Sequence, residues 1–325
     1  MTEERQAKQL VIQAGKALSQ AGLIARTWGN VSCRLDGERF AITASGRNYM
    51  NLMEEEVILV NMEDMGYEGS VKPSSEKRIH RAVYQLKQAA GFVIHTHQDN
   101  ASAVSAMGVD VVTFEQEQPL LGKTVLCAEY GLPGTKKLCA NTARALERSQ
   151  GRAVILKHHG ALCFGKDYEE AFQAAYQLET ACGHYLKTID RRILCENKSD
   201  IKQQGSHVIW NRSQVLLDFA EAFQEMKPYL DDFAQIIGLK TRVLPKNRQA
   251  AEAAARRGES VIVKGVGGFC VADTLEDAKA ISMIMEKNAM ASFAARAAAG
   301  KPIKPWECFL MRQNYVKNYA KLAHA

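Results

Sequence analysis

Through residues 1–200, short apolar runs of strand length alternate with longer segments of helical periodicity, and this alternation most limits what the chain can become. Residues 2–20 place Leu10, Val11, Ala14 and Leu18 on one helical face, with Thr2 as N-cap. Strands are expected at 30–35, 40–43 and 57–61. Lys72-Pro73-Ser74-Ser75-Glu76 opens a helix whose buried face carries Ile79, Ala82, Val83 and Leu86. Residues 92–97 read as a strand, and Asp99 caps the helix after it. Strands at 154–157 and 161–164 flank the turn His158-His159-Gly160. A helix from 167 to about 189 begins with a capping box of Asp167 and Glu170. Such an order excludes a helical bundle or a β-sandwich and predicts a layered α/β domain.

The polar segment 196–206, punctuated by Gly205, divides the chain into domains 1–200 and 207–325. Beyond it the pattern is mainly helical, with one interruption. Residues 154–171 can be laid over 261–278, with Val, Ile, Lys, Gly, Cys, Glu and Ala recurring in register. We read this as an internal repeat. The second copy carries Gly265 and Val266 where the first has His158 and His159, and it has no counterpart of the Ser-Ser-Glu or His-Thr-His segments. The expectation is a smaller, mainly helical α/β domain, a shortened and inactive relative of the first.

With 325 residues, 46% of them hydrophobic and 24% charged, the chain has the makeup of a core-forming globular protein. No apolar run approaches the roughly 20 residues that cross a bilayer. The start, Met-Thr-Glu-Glu-Arg, has no apolar segment of the signal-peptide kind. The eight cysteines include no C-x-x-C pair, so reduced thiols and a cytoplasmic location are expected. Residues 201–325 carry 18 basic and 12 acidic side chains, the whole of the net +6. They are spread along helices, without the clustering and interleaved aromatics of a nucleic-acid surface.

His95 and His97 stand two apart in a strand, so both imidazoles project from one face. With His159 at a second strand end they make three nitrogen ligands and leave a fourth position open, the pattern of a catalytic metal site. Zinc, or another divalent ion such as manganese or cobalt, suits imidazole. Glu76 lies in the first turn of a helix, where a carboxylate also complements the helix dipole. Ser74 and Ser75 beside it, and the small turns Gly29-Asn30 and Ser45-Gly46, are built to let a phosphate approach backbone N–H groups.

Taken together, Thr27-Trp28-Gly29-Asn30-Val31-Ser32, Thr43-Ala44-Ser45-Gly46, Lys72-Pro73-Ser74-Ser75-Glu76, Val93-Ile94-His95-Thr96-His97 and His158-His159-Gly160 resemble the class II aldolase/adducin family. That family includes sugar-phosphate aldolases and 4-epimerases, and the motifs fall in order over about residues 5–190. The resemblance implies a three-layer α/β/α sandwich around a largely antiparallel sheet. It implies zinc on His95, His97 and His159, Glu76 as acid/base, and phosphate held by Gly29, Asn30, Ser45, Gly46, Ser74 and Ser75. Cleaving a carbon–carbon bond beside a ketone leaves an enediolate, whose charge a metal stabilises while a carboxylate moves the proton. Epimerases of the family carry Asp where this chain has Glu76, which favours an aldolase acting on a small phosphorylated ketose.

The chain also departs from the family. Where relatives take a tyrosine or an aspartate from a neighbouring subunit, residues 111–121 offer neither, and Glu115, Glu117 and Tyr130 are left as candidates for the proton donor, with Glu117 and Tyr130 the chosen pair. Rival readings are a 3-oxo-acid 4-phosphate decarboxylase, a sugar-phosphate 4-epimerase and a ligand-free adducin-like scaffold; the intact histidines and Glu76 oppose the last. The turn Gly265-x-Gly267-Gly268 matches a dinucleotide loop only weakly. Family members are oligomers, so a homo-oligomer is expected, with 207–325 helping to build it and Tyr315 or Tyr319 reaching a neighbouring site.

Overall fold

The computed structural model describes residues 3–24, 28–193, 201–203 and 207–318. Thr2, Thr27, Tyr319 and most of the 196–206 segment lie outside the described residues. The chain forms two compact units. The first comprises residues up to Ser105 together with Val109–Cys182, and the second comprises Ala106–Gly108 and Gly183–Lys317.

The first unit is built on eight strands: β1 Asn30–Arg34, β2 Arg39–Thr43, β3 Val57–Asn61, β4 Phe92–Thr96, β5 Val111–Gln118, β6 Gly122–Ala128, β7 Ala153–Leu156 and β8 Gly160–Gly165. They lie in the order β3-β2-β1-β4-β8-β7-β6-β5, antiparallel throughout except for the parallel pair β6 and β7. Its helices are α1 Glu3–Gln20, α2 Lys77–Leu86, α3 Asp99–Ser105, α4 Lys136–Arg148 and α5 Tyr168–Ile189, the last running across the division between the units. This is the expected α/β architecture around a largely antiparallel sheet. Asp167 caps α5 as expected, its carboxylate accepting from the Glu170 amide at 2.9 Å. Leu86 is instead exposed, because it ends its helix and the buried stripe stops at Val83 and Tyr84.

Two facts of register decide where chemistry can sit. Asn30 faces His95 and Ser32 faces Val93 across β1 and β4, so these four side chains share one face of the sheet. That face is covered by α2 and α4: Val93, Phe40, Ile42, Val154, Leu162 and Phe164 pack with Ile79, Val83 and Tyr84 of α2 and Leu138 and Leu146 of α4. Each such fully buried large apolar side chain contributes about 1.5–3 kcal/mol. The first turn of α2 therefore meets the sheet beside the ends of β1 and β4.

The second unit is mainly helical α/β as expected, and its sheet has six strands. Its strands are β9 Ile201–Gln203, β10 Val208–Asn211, β11 Glu225–Met226, β12 Thr241–Leu244, β13 Val261–Val263 and β14 Gly267–Val271, ordered β11-β12-β13-β14-β10-β9. Its helices are α6 Gln214–Ala222, α7 Asp231–Ile236, α8 Arg248–Arg256, α9 Leu275–Ala297 and α10 Pro305–Asn318. The strands are two to five residues long, too short for alternation to register in the sequence.

Five neighbouring strands repeat the first unit's topology. The series β4-β8-β7-β6-β5 is joined by antiparallel, antiparallel, parallel and antiparallel pairings, and β10-β14-β13-β12-β11 is joined by the same four in the same order. Helices follow β10, β12 and β14 as they follow β4, β6 and β8. Even the tight turns agree. A Cβ on Gly160 would lie 2.2 Å from the Thr96 carbonyl oxygen, and one on Gly267 would lie 2.2 Å from that of Asn211. His158 has φ 60° and Gly265 has φ 64°.

Candidate metal centre and active site

His95 sits near the end of β4, and its ring is oriented from behind. Its Nδ1–H donates to the Ala161 carbonyl at 2.8 Å, which leaves the Nε2 lone pair facing outward from the strand. His97 follows two residues on. His159 is delivered by the turn between β7 and β8, and that turn depends on Gly160, since any side chain there would strike the Thr96 carbonyl. His158 takes the left-handed conformation that reverses the chain. The result brings the Nε2 atoms of His97 and His159 each to 3.0 Å from that of His95.

Glu76 completes the cluster from the start of α2. Its Oε2 lies 3.2 Å from His95 Nε2 and its Oε1 lies 3.1 Å from His159 Nε2. Burial alone would raise this carboxyl's pKa, but the facing His159 and His95 hold it well below the usual carboxylate range. Glu76 is 8% exposed, and Oε1 has no hydrogen-bond partner.

The donor set fits a divalent cation. Three imidazole nitrogens around a tetrahedral ion at about 2.0–2.1 Å would stand roughly 3.3 Å apart, a few tenths more than the spacing found here. One ligand atom from each of Glu76, His95, His97 and His159 falls within 4.8 Å of the others, so the cluster is able to bind a metal ion. An orphaned buried carboxylate oxygen and a lone pair directed at the same point are what such an ion would satisfy.

The turns expected to hold phosphate gather around the same place. Ser74 N–H donates to the Thr43 carbonyl at 3.0 Å and Ser45 N–H to that of Lys72 at 3.1 Å, which ties the turn after β2 to the turn before α2. Gly29 packs so tightly that a Cβ would lie 2.5 Å from the His95 carbonyl oxygen, and its own carbonyl accepts from Tyr49 Oη–H at 2.7 Å. Gly46 has φ 71°, and Ser75 is exposed. Ser74 Oγ accepts from the Glu76 amide at 3.2 Å, and Ser45 Oγ donates to the Pro73 carbonyl at 3.2 Å. The Asn30 side chain is committed within the protein. Its amide is engaged at both ends, donating to Glu76 Oε2 at 3.1 Å and accepting from His80 at 2.5 Å.

The sequence profile of the class II aldolase and adducin N-terminal domain matches residues 9–186. The chain belongs to the class II aldolase and adducin family. It is 31% identical over 180 residues to the L-fuculose phosphate aldolase of Escherichia coli K12, covering 55% of this chain and 82% of that one. It is 30% identical over 191 residues to the L-ribulose-5-phosphate 4-epimerase UlaF of Salmonella paratyphi C, covering 53% and 80%. Among solved structures, an L-fuculose 1-phosphate aldolase superposes with a TM-score of 0.52 at 30% identity, covering 56% of this chain and 86% of that one. The fold of the first unit is that of the class II aldolases.

Within this family chain the two candidate proton donors fall in different places. Glu117 is exposed on β5, four strands along the sheet from β4, about 19 Å at the usual strand spacing. The fold does not bring it to Glu76 in the same chain. The Tyr130 ring packs edge-on against His158, centroids 5.3 Å apart, next to His159 in the turn between β7 and β8. Ser32, His80 and Tyr84, which line the far side of Glu76, escaped the sequence reading. A signal was present: His80 is one helical turn after Glu76, and the i, i+4 spacing places both on one face of the same helix.

Proposed function

We propose that the chain is a zinc-dependent aldolase that cleaves a phosphorylated ketose to dihydroxyacetone phosphate, or a similar three-carbon phosphate, and an aldehyde. The observation that carries this reading is the buried Glu76 carboxylate within 3.1–3.2 Å of two of the converging imidazole nitrogens. His95, His97 and His159 would hold the ion, with manganese or cobalt as alternatives to zinc. The bound ion would supply Lewis-acid stabilisation of negative charge developing on substrate oxygen. Gly29, Ser45, Gly46, Ser74 and Ser75 would receive the phosphate on small turns laced together beside the cluster. Asn30 belongs to the same turn through its backbone, while its side chain serves Glu76. The Glu76 carboxylate takes or returns the proton at the reacting carbon, and burial keeps competing water away. Glu117 from a neighbouring subunit, or Tyr130, would take the proton from the hydroxyl that becomes the aldehyde carbonyl, and would donate it back to that oxygen in the condensation direction.

The epimerase among the relatives supports a second reading, 4-epimerisation at the same cluster, and a 3-oxo-acid 4-phosphate decarboxylase would use the same groups. The deciding experiment incubates the zinc-loaded protein with a panel of phosphorylated ketoses and 3-oxo-acid 4-phosphates and identifies the products. Two carbonyl fragments establish the aldolase; a stereoisomer alone, or carbon dioxide together with the shortened ketone phosphate, overturns it.

The second unit is read as a shortened copy of the first with a structural task in a homo-oligomer. Its support is the repeated five-strand topology and the paired turns. Matching Ile94–Cys163 with Ile209–Cys270 puts Trp210 in the place of His95 and Arg212 in that of His97, while Val266 replaces His159. No helix of the described residues is long and apolar enough to cross a membrane. The seven described cysteines are free, which supports placement in the reducing cytoplasm.

A further inference from the structure

Behind Glu76 lies a run of buried polar side chains that the reaction above leaves unassigned. His80 and Ser32 are fully buried and Tyr84 is 1% exposed. Tyr84 Oη is 2.7 Å from Ser32 Oγ, and Ser32 Oγ is 2.6 Å from His80 Nδ1. His80 Nε2 is 2.5 Å from Asn30 Oδ1, and Asn30 Nδ2 is 3.1 Å from Glu76 Oε2. Burying so many polar atoms against an apolar core is costly unless each finds its partner.

The donors in this run can be arranged in one way. The ionised Glu76 carboxylate only accepts, so Asn30 must present its NH₂ to Oε2 and its carbonyl to His80. The His80 proton is then on Nε2. Burial drives the His80 pKa down to about 3, with His95 adding to the fall and Glu76 opposing it, so the ring is neutral and Nδ1 accepts. Ser32 O–H donates to Nδ1. Tyr84, whose pKa burial raises well above the ordinary value, donates its O–H to Ser32. All four hydrogen bonds therefore point toward Glu76.

We propose that His80 is a positioning residue: the chain Tyr84–Ser32–His80–Asn30 anchors Oε2 of Glu76 and leaves Oε1 as the oxygen that carries the proton. The inference rests on the reading of Glu76 as the acid/base. Two features of the structure support the division of labour. Oε2 accepts the Asn30 amide hydrogen bond, whereas Oε1 receives no such anchor and faces the His159 ring across 3.1 Å. Without His80, the Asn30 amide has nothing to hold its carbonyl outward, and a flipped amide would set oxygen against the carboxylate. The arrangement fixes rotation about the last Glu76 torsion, a broad and otherwise soft coordinate.

The test has two arms. In the first, selective ¹⁵N-histidine labelling of the full-length protein reads the His80 tautomer directly, without any substrate. The expected result is a neutral Nε2–H ring that does not titrate between pH 5 and 8. An Nδ1–H ring, or one that titrates in that range, overturns the proposal whatever reaction the enzyme performs. In the second, His80→Leu and His80→Gln are compared with wild type for kcat, KM and zinc content. Outer-shell partners of this kind are typically worth about 10–100-fold. His80→Leu should lose that much in kcat with KM and zinc content within about twofold, and His80→Gln, which can still donate to Asn30, should recover most of it. A His80→Leu enzyme with kcat within twofold of wild type refutes the proposal. Ser32→Ala, which breaks the same chain one link back, replaces it if His80→Leu does not fold. If the wild-type protein cleaves no phosphorylated ketose, the aldolase reading fails by itself, and the tautomer measurement still decides the positioning role.

Discussion

The two oxygens of Glu76 differ by one hydrogen bond, and this difference sets what substitution there will do. Glu76→Gln keeps the volume and can keep the contact with Asn30, since an amide oxygen also accepts. It removes the negative charge that opposes His95 and His159 and the ability to exchange a proton. Turnover is expected to fall by about 10²–10⁴-fold, with the circular dichroism spectrum unchanged and zinc still bound at one ion per chain by elemental analysis. A variant retaining near-full activity would reduce Glu76 to a helix-start carboxylate. At this scale the sequence reveals which side chains converge better than it reveals their surroundings. His95 and His97 follow from strand spacing, and His159 from its place at a strand end. That the Asn30 amide lies between Glu76 and His80 was not legible, because it depends on how α2 packs on β1 in the folded domain. A buried histidine also carries no mark in sequence that separates it from an exposed one.

At the scale of elements, the turn between β7 and β8 holds the site together. It carries His159, and its neighbours have opposite tolerances. Gly160→Ala would drive a methyl group to 2.2 Å from the Thr96 carbonyl, which is backbone and cannot swing aside. Overpacking of this kind costs about 1–3 kcal/mol, and here it also shifts His159 away from His95. Thermal unfolding should show the lower stability and zinc titration the weaker binding. His158→Gly is expected to leave stability within about 1 kcal/mol, since glycine relieves the left-handed strain while the ring contact with Tyr130 is lost. Gly265, at φ 64°, already fills the corresponding turn of the second unit. A loss well beyond 2 kcal/mol would show that the His158 ring, and not the backbone, holds the turn. The hairpin of β5 and β6 was legible in principle, because Val112 and Phe114 are buried and alternate with exposed Thr113 and Glu115. Pro119 and Gly122 bracket the turn between them, while Glu115 and Glu117 put charge on the exposed face of β5 and weaken its likeness to a strand.

For the whole molecule, the question is what the second unit adds. Every residue placed in the site lies between Gly29 and His159, and the core cluster beneath α2 and α4 runs from Phe40 to Phe164. A chain ending after about residue 200 thus retains the site, its core and all of α5, at a size at which domains ordinarily fold alone. Zinc content of one ion per chain is expected to survive that truncation. The assembly is expected to change, because a fused copy of a domain inherits its self-association surface and can occupy a position that another subunit would fill. The topology gives this more weight than the sequence repeat could: the 18-residue alignment covers one strand–turn–strand piece and a helix start, whereas the structure repeats five strands with every pairing direction kept. Those other strands had diverged too far, and were too short, to be matched by residue identity. Light scattering and elemental analysis on the full-length and shortened chains decide the matter. A shortened protein that keeps the oligomer, the solubility and the activity of the whole would make residues 207–325 an independent module and end the account of them as a structural copy.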